Sequence, residues 1–134
     1  MVTQYYGKKS SVMVKVPKAV KKEAIASFNL ITAGFKSKAM EHTATGYKRA
    51  VQLSTQDLIP IQDLIFMRNW FARHKFASYP SYLEWEQAGK PMDNPYFFNK
   101  RGIYAWVCWG GNAAYKWVNE PRVTKLIGEW KKTK

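Results

Sequence analysis

Residues that carry out catalysis or bind metal ions are scarce in this sequence. Cys108 is its single cysteine, and His42 and His74 are its two histidines. One cysteine cannot form an internal disulfide, and none of the three has a second ligand at the spacing of a zinc site. Cys108 stands among tryptophans, where we expect a buried and unreactive thiol. The sequence therefore predicts no metal, no cofactor and no enzymatic activity.

Acidic residues are also few: the chain has 9 Asp and Glu against 22 Lys and Arg, a formal net charge of +13. The net charge is +8 in residues 1–50, −1 in 51–99 and +6 in 100–134. The five carboxylates of the middle could in principle form a nuclease site, but the only E-x-K string, Glu129 to Lys131, lacks a preceding strand. Basic flanks predict faces that bind a polyanion, namely nucleic acid, an acidic lipid surface or an acidic protein. The alternative is a lysine-rich surface that serves only solubility.

No apolar run is long enough to cross a membrane, because the longest, LIPIQDLIF, is interrupted by Pro60, Gln62 and Asp63. The first residues lack the pattern of a secretory signal, so we expect no export. The composition is 46% hydrophobic and 16% aromatic, which predicts a folded domain and argues against disorder.

The segment 99–119, NKRGIYAWVCWGGNAAYKWVN, is the richest in large aromatic side chains and is the predicted centre of the core. Trp106 and Trp109 are three residues apart and share a helix face. The Gly-Gly pair that follows breaks the helix, and Asn112 can cap a second one. The pair predicts a packed helical corner. Alternatively, its amide groups could hold an anion.

Hydrophobic periodicity predicts a mostly α fold: a single compact domain of five to six short helices with long loops and basic terminal arms. We place a basic N-terminal arm at 1–15, with a short strand near 12–16, a helical domain at 16–130 and a basic tail at 131–134. Residues 76–99 are predicted to be an insertion in that domain. The helices are predicted at 17–34, 46–53, 60–75, 82–88, on both sides of the Gly-Gly pair and from Pro121 onward, and 35–45 is predicted as a loop.

The lysines outside the predicted core are the candidate contacts to a polyanion or a protein partner. Three of them crowd the first turns of the first helix, which the helix dipole disfavours unless an anion lies nearby, although a solvated face is an alternative. Tyr5, Tyr6 and Tyr47 beside lysines could stack on bases. The ten candidate lysines are Lys8, Lys9, Lys18, Lys21, Lys22, Lys36, Lys38, Lys48, Lys131 and Lys132.

Three strings are similar to a small domain family of unknown function encoded by tailed bacteriophages and large DNA viruses of algae: VKVPKAVKKEA, RAVQLSTQDLIPIQDLIFMRNWFARH and NKRGIYAWVCWGGNAAYKWVN. The family's motifs are R-A-x-x-L, F-A-R-H and A-W-x-x-W-G-G-x-x-A-x-x-W, and many members have Asp where this chain has Asn112. The motifs correspond here to Arg49, Ala50 and Leu53, to Phe71, Ala72, Arg73 and His74, and to Ala105, Trp106, Trp109, Gly110, Gly111, Ala114 and Trp117.

The resemblance implies a viral protein without an established activity. We interpret the motif residues as a structural clamp, in which Arg73 caps carbonyls at the end of a helix and His74 hydrogen-bonds to the glycine corner. The leading hypothesis is a non-enzymatic minor capsid protein of the virion, present in the host cell during assembly, that contacts other capsid proteins, nucleic acid or an anionic membrane surface. The alternative is a DNA-binding protein without sequence specificity. The predicted clamp comprises Arg73, His74, Trp106, Trp109, Gly110, Gly111 and Trp117.

Overall fold

Seven helices and two short strands make up the part of the chain that the computed structural model describes, residues 12–30, 44–98 and 100–133. The predicted mostly α fold is confirmed. In chain order the elements are β1 (Met13–Lys15), α1 (Lys18–Leu30), α2 (Ala44–Thr55), β2 (Leu58–Pro60), α3 (Ile61–Gln87), α4 (Pro95–Phe98), α5 (Arg101–Cys108), α6 (Gly111–Val118) and α7 (Pro121–Lys132).

Helix α3 runs for 27 residues, about 40 Å, and is the longest element of the described chain. It passes through Pro80, which has no N–H for the carbonyl of Phe76. Residues on both sides of the proline are nevertheless buried, Ser78 at 5% exposure and Tyr82 at 0%. Burial on both sides stabilises the helix across the missing hydrogen bond.

The helices predicted at 60–75 and 82–88 are both helical, but the predicted break between them was wrong, because both belong to α3. Helix α5 packs tightly against α3 at this point. A Cβ atom on Gly102 would lie only 2.8 Å from Cα of Ser78, so the two backbones approach closely beside Pro80. Residues 76–98 carry core side chains, including Trp85 and Phe97. Whether 76–99 is an insertion stays a prediction.

Strands β1 and β2 form a two-stranded antiparallel sheet in which Val14 lies opposite Ile59. The short strand predicted near 12–16 is thus observed, and it lies inside the segment we had assigned to the arm. Strand β2 was not expected, because Pro60 suggested the first turn of a helix. Pro60 instead ends β2 opposite Met13 and directly precedes α3.

The core is one cluster that draws side chains from all the helices and from β2. Tyr104 and Trp106 of α5 and Phe71 and Met67 of α3 are fully buried at its centre. The predicted role of segment 99–119 as the core centre agrees with this, since residues 103–110 are all buried. Burying side chains of this size stabilises a fold by about 1.5–3 kcal/mol each before entropic costs.

Other predicted boundaries differ by a few residues. Helix α1 ends at Leu30 within the described residues, whereas the predicted end at Gly34 and the predicted loop at 35–45 lie mostly outside them. Helix α7 begins at Pro121 as predicted, and it includes Lys131 and Lys132, which we had assigned to a tail. The turn of α6 starts from Gly110 rather than Asn112, so the predicted Asn112 cap was wrong.

Candidate functional site

Four side chains from α2, α3 and the turn after α5 form a continuous series of stacked contacts. The rings of Trp109 and Trp70 are 4.8 Å apart between centroids and nearly parallel, at 10°. His74 stacks on Trp70 with centroids 4.6 Å apart. The guanidinium of Arg49 lies 4.9 Å from the centroid of Trp109. This stack joins α2, α3 and the turn after α5 through aromatic and cation–π contacts, each of which is typically favourable.

The guanidinium end of the stack is tied to α3 by a short polar network. Nη1 of Arg49 donates a hydrogen bond to Oε1 of Gln52, and Nε2 of Gln52 donates to Oδ2 of Asp63 over 2.6 Å. The same carboxylate oxygen lies 3.7 Å from Nη1 of Arg49. Burial lowers the pKa of Arg49 and the Asp63 carboxylate opposes this, so Asp63 is the charge that balances a largely buried guanidinium. Nε of Arg49 is buried without a partner in the described chain.

Asp63→Asn is expected to lower the free energy of unfolding by about 1–3 kcal/mol, because it leaves the Arg49 charge without its counterion in a largely buried position. Urea unfolding of D63N, R49M and the double variant measures the coupling. The double variant should be more stable than the sum of the single effects implies, by at least about 0.5 kcal/mol. Strictly additive effects would contradict the proposed charge balance.

Asn112 has a role other than the predicted helix cap. Nε1 of Trp106 donates a hydrogen bond of 3.0 Å to Oδ1 of Asn112, across the glycine corner. This bond satisfies the one polar group of a side chain that is fully buried. An aspartate at this position would offer the same acceptor oxygen.

The two glycines of the corner are required by geometry. Gly110 has φ +104° and Gly111 has φ +61°. A Cβ atom at Gly110 would overlap the side chain of Ala114 and lie 3.1 Å from Val20. At Gly111 the corresponding space is filled by the carboxylate of Glu23. The packed-corner interpretation therefore describes this site, and a carboxylate of the chain itself occupies the space beside Gly111.

Glu23 joins the corner to the end of α3. Its carboxylate lies 3.6 Å from Nζ of Lys90, and burial raises its pKa although Lys90 opposes the shift. The hydroxyl of Tyr82 is buried near the backbone N–H of Asn112, without a hydrogen bond in the described chain. Burial raises the pKa of Tyr82, so this hydroxyl stays protonated.

The predicted clamp is only partly observed. Trp106, Trp109 and both glycines form the corner, but Arg73 is exposed in the middle of α3 and caps no helix end. The nitrogen Nδ1 of His74 donates to the carbonyl of Trp70 over 2.9 Å instead of bonding to the corner. His74 thus acts on the corner only through Trp70. Trp117 is buried elsewhere, beside α7.

The candidate lysines divide into two groups within the described chain. Lys18 and Lys22 of α1, Lys48 of α2 and the pair at 131–132 in α7 are exposed. Lys21 differs from them, because it lies 3.2 Å from Asp57 and donates to the carbonyl of Gln56. Lys8, Lys9, Lys36 and Lys38 lie outside the described residues, as do Tyr5 and Tyr6. Tyr47 is half-buried against Phe28.

Half of the described acidic side chains form ion pairs within the fold, a larger share than among the lysines. Four carboxylates form ion pairs: Glu23 with Lys90, Asp57 with Lys21, Asp63 with Arg49 and Glu120 with Arg122. Exposed cations without a hydrogen bond or ion pair to the described residues are therefore in excess. They are Lys15, Lys18, Lys22, Lys48, Arg73, Lys116, Lys125, Lys131 and Lys132.

Cys108 is fully buried beside the hydroxyls of Tyr104 and Ser27, which confirms the predicted buried thiol. Burial raises its pKa to about 12, so the thiolate needed for nucleophilic attack is not formed near neutral pH. Among residues 12–30, 44–98 and 100–133 no group of three His, Cys, Asp or Glu could hold a metal ion. Within the same ranges no helix has the length and apolarity needed to span a bilayer.

Fold and site together define a small, mostly helical and strongly basic protein with a tryptophan–glycine corner at its centre. No family model matches the chain, and no match is found among curated proteins or solved structures. The resemblance to the viral domain family stays a prediction from the sequence.

The stack and its polar network contain residues that were not among the predicted clamp or contact residues, namely Arg49, Gln52, Asp63 and Trp70. A signal was available for Arg49, because it lies one helical turn before Leu53 and on the same face as a buried residue. A charge on the core side of an amphipathic helix requires a partner. Asp63, in the first turn of α3 between the buried Ile61 and Leu64, was the natural candidate.

Proposed function

We propose that this protein is a non-enzymatic structural component of a virion, which bridges larger capsid proteins or attaches to an anionic interior surface. The single observation that supports this proposal is the charge distribution: half of the described carboxylates are paired within the fold, whereas lysines of four helices are exposed without partners among the described residues. A surface of this kind attracts polyanions at long range. The viral setting is taken from the motif similarity.

Quantitative mass spectrometry of purified virions, before and after genome release, tests this function. A capsid component stays with the empty shell at a fixed copy number. Absence from virions would refute the proposal, and loss together with the genome would favour the second function below.

The second function is DNA binding without sequence specificity. It is favoured by the spread of free cations over α1, α2 and α7, because contacts to phosphates require positive charge and do not require a recognition helix. If about six lysines contact phosphates, the affinity for duplex DNA should fall by about five orders of magnitude per tenfold increase in salt.

In that assay, two matched charge variants distinguish binding through a specific basic face from binding that depends only on net charge. Lys18→Gln with Lys22→Gln removes two unpaired cations from one face of α1. Lys21→Gln with Lys90→Gln removes the same charge from two paired positions. The salt slope should decrease by about two for the first variant only. Equal slopes in both variants would show that net charge alone governs binding.

A further inference from the structure

A groove of about 400 Å³ runs between strand β1 and helix α7. Its floor is apolar and its borders are mostly basic, with a single carboxylate. The lining side chains are Val14, Lys15, Trp117, Arg122, Val123, Lys125, Leu126 and Glu129.

The hydrogen-bonding pattern of β1 shows which of its backbone groups face this groove. The carbonyl of Val12 accepts from the N–H of Ile61, and the N–H of Val16 donates to the carbonyl of Asp57. In an antiparallel pair these groups alternate, so Val12, Val14 and Val16 face β2. The N–H and C=O groups of Met13 and Lys15 therefore point away from β2.

Pro60 supports this assignment independently. It lies opposite Met13, at a position that exchanges no hydrogen bonds in this register, where the missing N–H of proline has no effect. Within the described residues no backbone group pairs with Met13 or Lys15 on their outer side. Among the described residues, one edge of strand β1 therefore has no backbone partner, and we call it the free edge.

The free edge opens into the groove. Adjacent side chains of a strand point to opposite faces, and yet both Val14 and Lys15 line the groove. A space that touches both faces of β1 must run along its edge. An extended segment that lies there could hydrogen-bond to the outer groups of Lys15 while it contacts α7.

The side chains define the chemistry of such a segment. Trp117 and Val123 are buried, and Leu126 packs beside them, so the floor accepts apolar side chains. Lys15 and Lys125 are exposed cations without partners in the described chain, whereas Arg122 is neutralised by Glu120. With Glu129 as the one lining carboxylate, the groove favours acidic side chains that alternate with apolar ones.

Segments of this chain outside the described residues do not match that charge. Residues 1–11 contain two lysines and no acidic residue, and residues 31–43 contain two lysines and one glutamate. Pairing of two β1 edges from separate copies would bring Lys15 side chains together. The complementary occupant is therefore an acidic segment of another protein.

We propose that the groove between β1 and α7 binds an extended acidic peptide segment of a partner protein, which adds a strand to the free edge of β1. Main-chain hydrogen bonds to Met13 and Lys15 hold the segment. The apolar floor selects its apolar side chains, and Lys15 and Lys125 select the acidic side chains that alternate with them. The inference depends on the proposed function only in assuming that the partner protein belongs to the same assembly. Its test uses the isolated protein, so its outcome is independent of the virion measurement.

The test measures binding of a fluorescein-labelled peptide of four Glu-Val repeats by anisotropy at low salt. Two peptides serve as controls: one with Lys in place of Glu, and one with the same side chains but N-methylated at alternate residues. The Glu-Val peptide should bind saturably, and both controls should bind at least about tenfold more weakly, because each loses a charge match or a hydrogen bond. Equal binding of the N-methylated peptide would overturn the strand pairing.

Matched protein variants test the same edge. Lys15→Pro removes the outward N–H that Lys15→Ala keeps, and proline is tolerated on a free edge. Lys15→Pro should bind the peptide about tenfold more weakly than Lys15→Ala. Lys125→Glu should weaken binding, whereas Lys48→Glu on α2 should leave it unchanged. Two results would overturn the proposal by assigning the edge to another occupant. The first is that duplex DNA displaces the peptide equally well from Lys15→Pro and Lys15→Ala. The second is that the native protein forms a dimer that Lys15→Pro abolishes.

Discussion

Replacing Gly110 by alanine should destabilise the protein by about 3–5 kcal/mol, one of the largest effects of any single methyl group in the chain. Two causes combine: an L-residue at φ +104° is strained by about 1–3 kcal/mol, and overpacking against Ala114 and Val20 costs about the same again. Nothing at this corner can move easily, because the neighbouring atoms belong to helices α1 and α6. Urea unfolding with a measured m-value gives the difference in free energy.

Two other glycines provide controls for the two causes. Gly89 has φ +90° with no atom within 4 Å of an added Cβ, so Gly89→Ala should show the strain alone, about 1–2 kcal/mol. Gly128 lies inside α7 with the same open space and no positive φ, so Gly128→Ala should stabilise by about 0.5–1 kcal/mol. A Gly110 variant no less stable than the Gly89 variant would show that the corner can relax.

Trp106→Ala should cost about 3–5 kcal/mol, because it removes a fully buried side chain from the centre of the aromatic cluster. The Trp106 ring contacts the rings of Phe71 and Tyr115, at centroid distances of 4.7 and 5.4 Å, so the cavity would be lined by rings that cannot close it. Loss of near-UV circular dichroism together with reduced stability in urea is the expected result.

Trp106→Phe separates the ring from its hydrogen bond. Phenylalanine keeps most of the apolar volume but leaves Oδ1 of Asn112 without the indole N–H, a loss of about 1–3 kcal/mol. Adding Asn112→Ala to Trp106→Phe should therefore cost less than Asn112→Ala in the native protein. If both backgrounds respond equally, the bond across the corner contributes no stability.

Local patterns were enough to predict the helical class, the central aromatic segment and the break at the Gly-Gly pair. Each of these depends on residues close in sequence, such as the spacing of Trp106 and Trp109 or the conformational freedom of Gly110. The helix from Pro121 was predictable for the same reason, since proline in a first turn and an apolar stripe both lie within a dozen residues.

What could not be predicted depends on contacts between distant segments. Pro80 would end an isolated helix, but the approach of Gly102 to Ser78 and the burial of Tyr82 hold α3 together. Asparagine is a residue type that often caps helices, yet the amide oxygen of Asn112 accepts a hydrogen bond from the indole of Trp106, six residues earlier. In the sequence Lys21 cannot be told apart from Lys18 and Lys22, and only the fold brings Asp57 within 3.2 Å of it.

The buried state of Cys108 makes this chain convenient for spectroscopy. It is the single cysteine of the sequence, it is fully buried, and its pKa of about 12 keeps it as a thiol at neutral pH. Maleimide and methanethiosulfonate reagents attack exposed thiolates, so the native protein should remain unlabelled while folded. One new surface cysteine, for instance at the exposed position Ala19 on α1 or Thr124 on α7, would then carry a dye or spin label at a single known site. Distances within an assembly could be measured without first removing the native cysteine from the core.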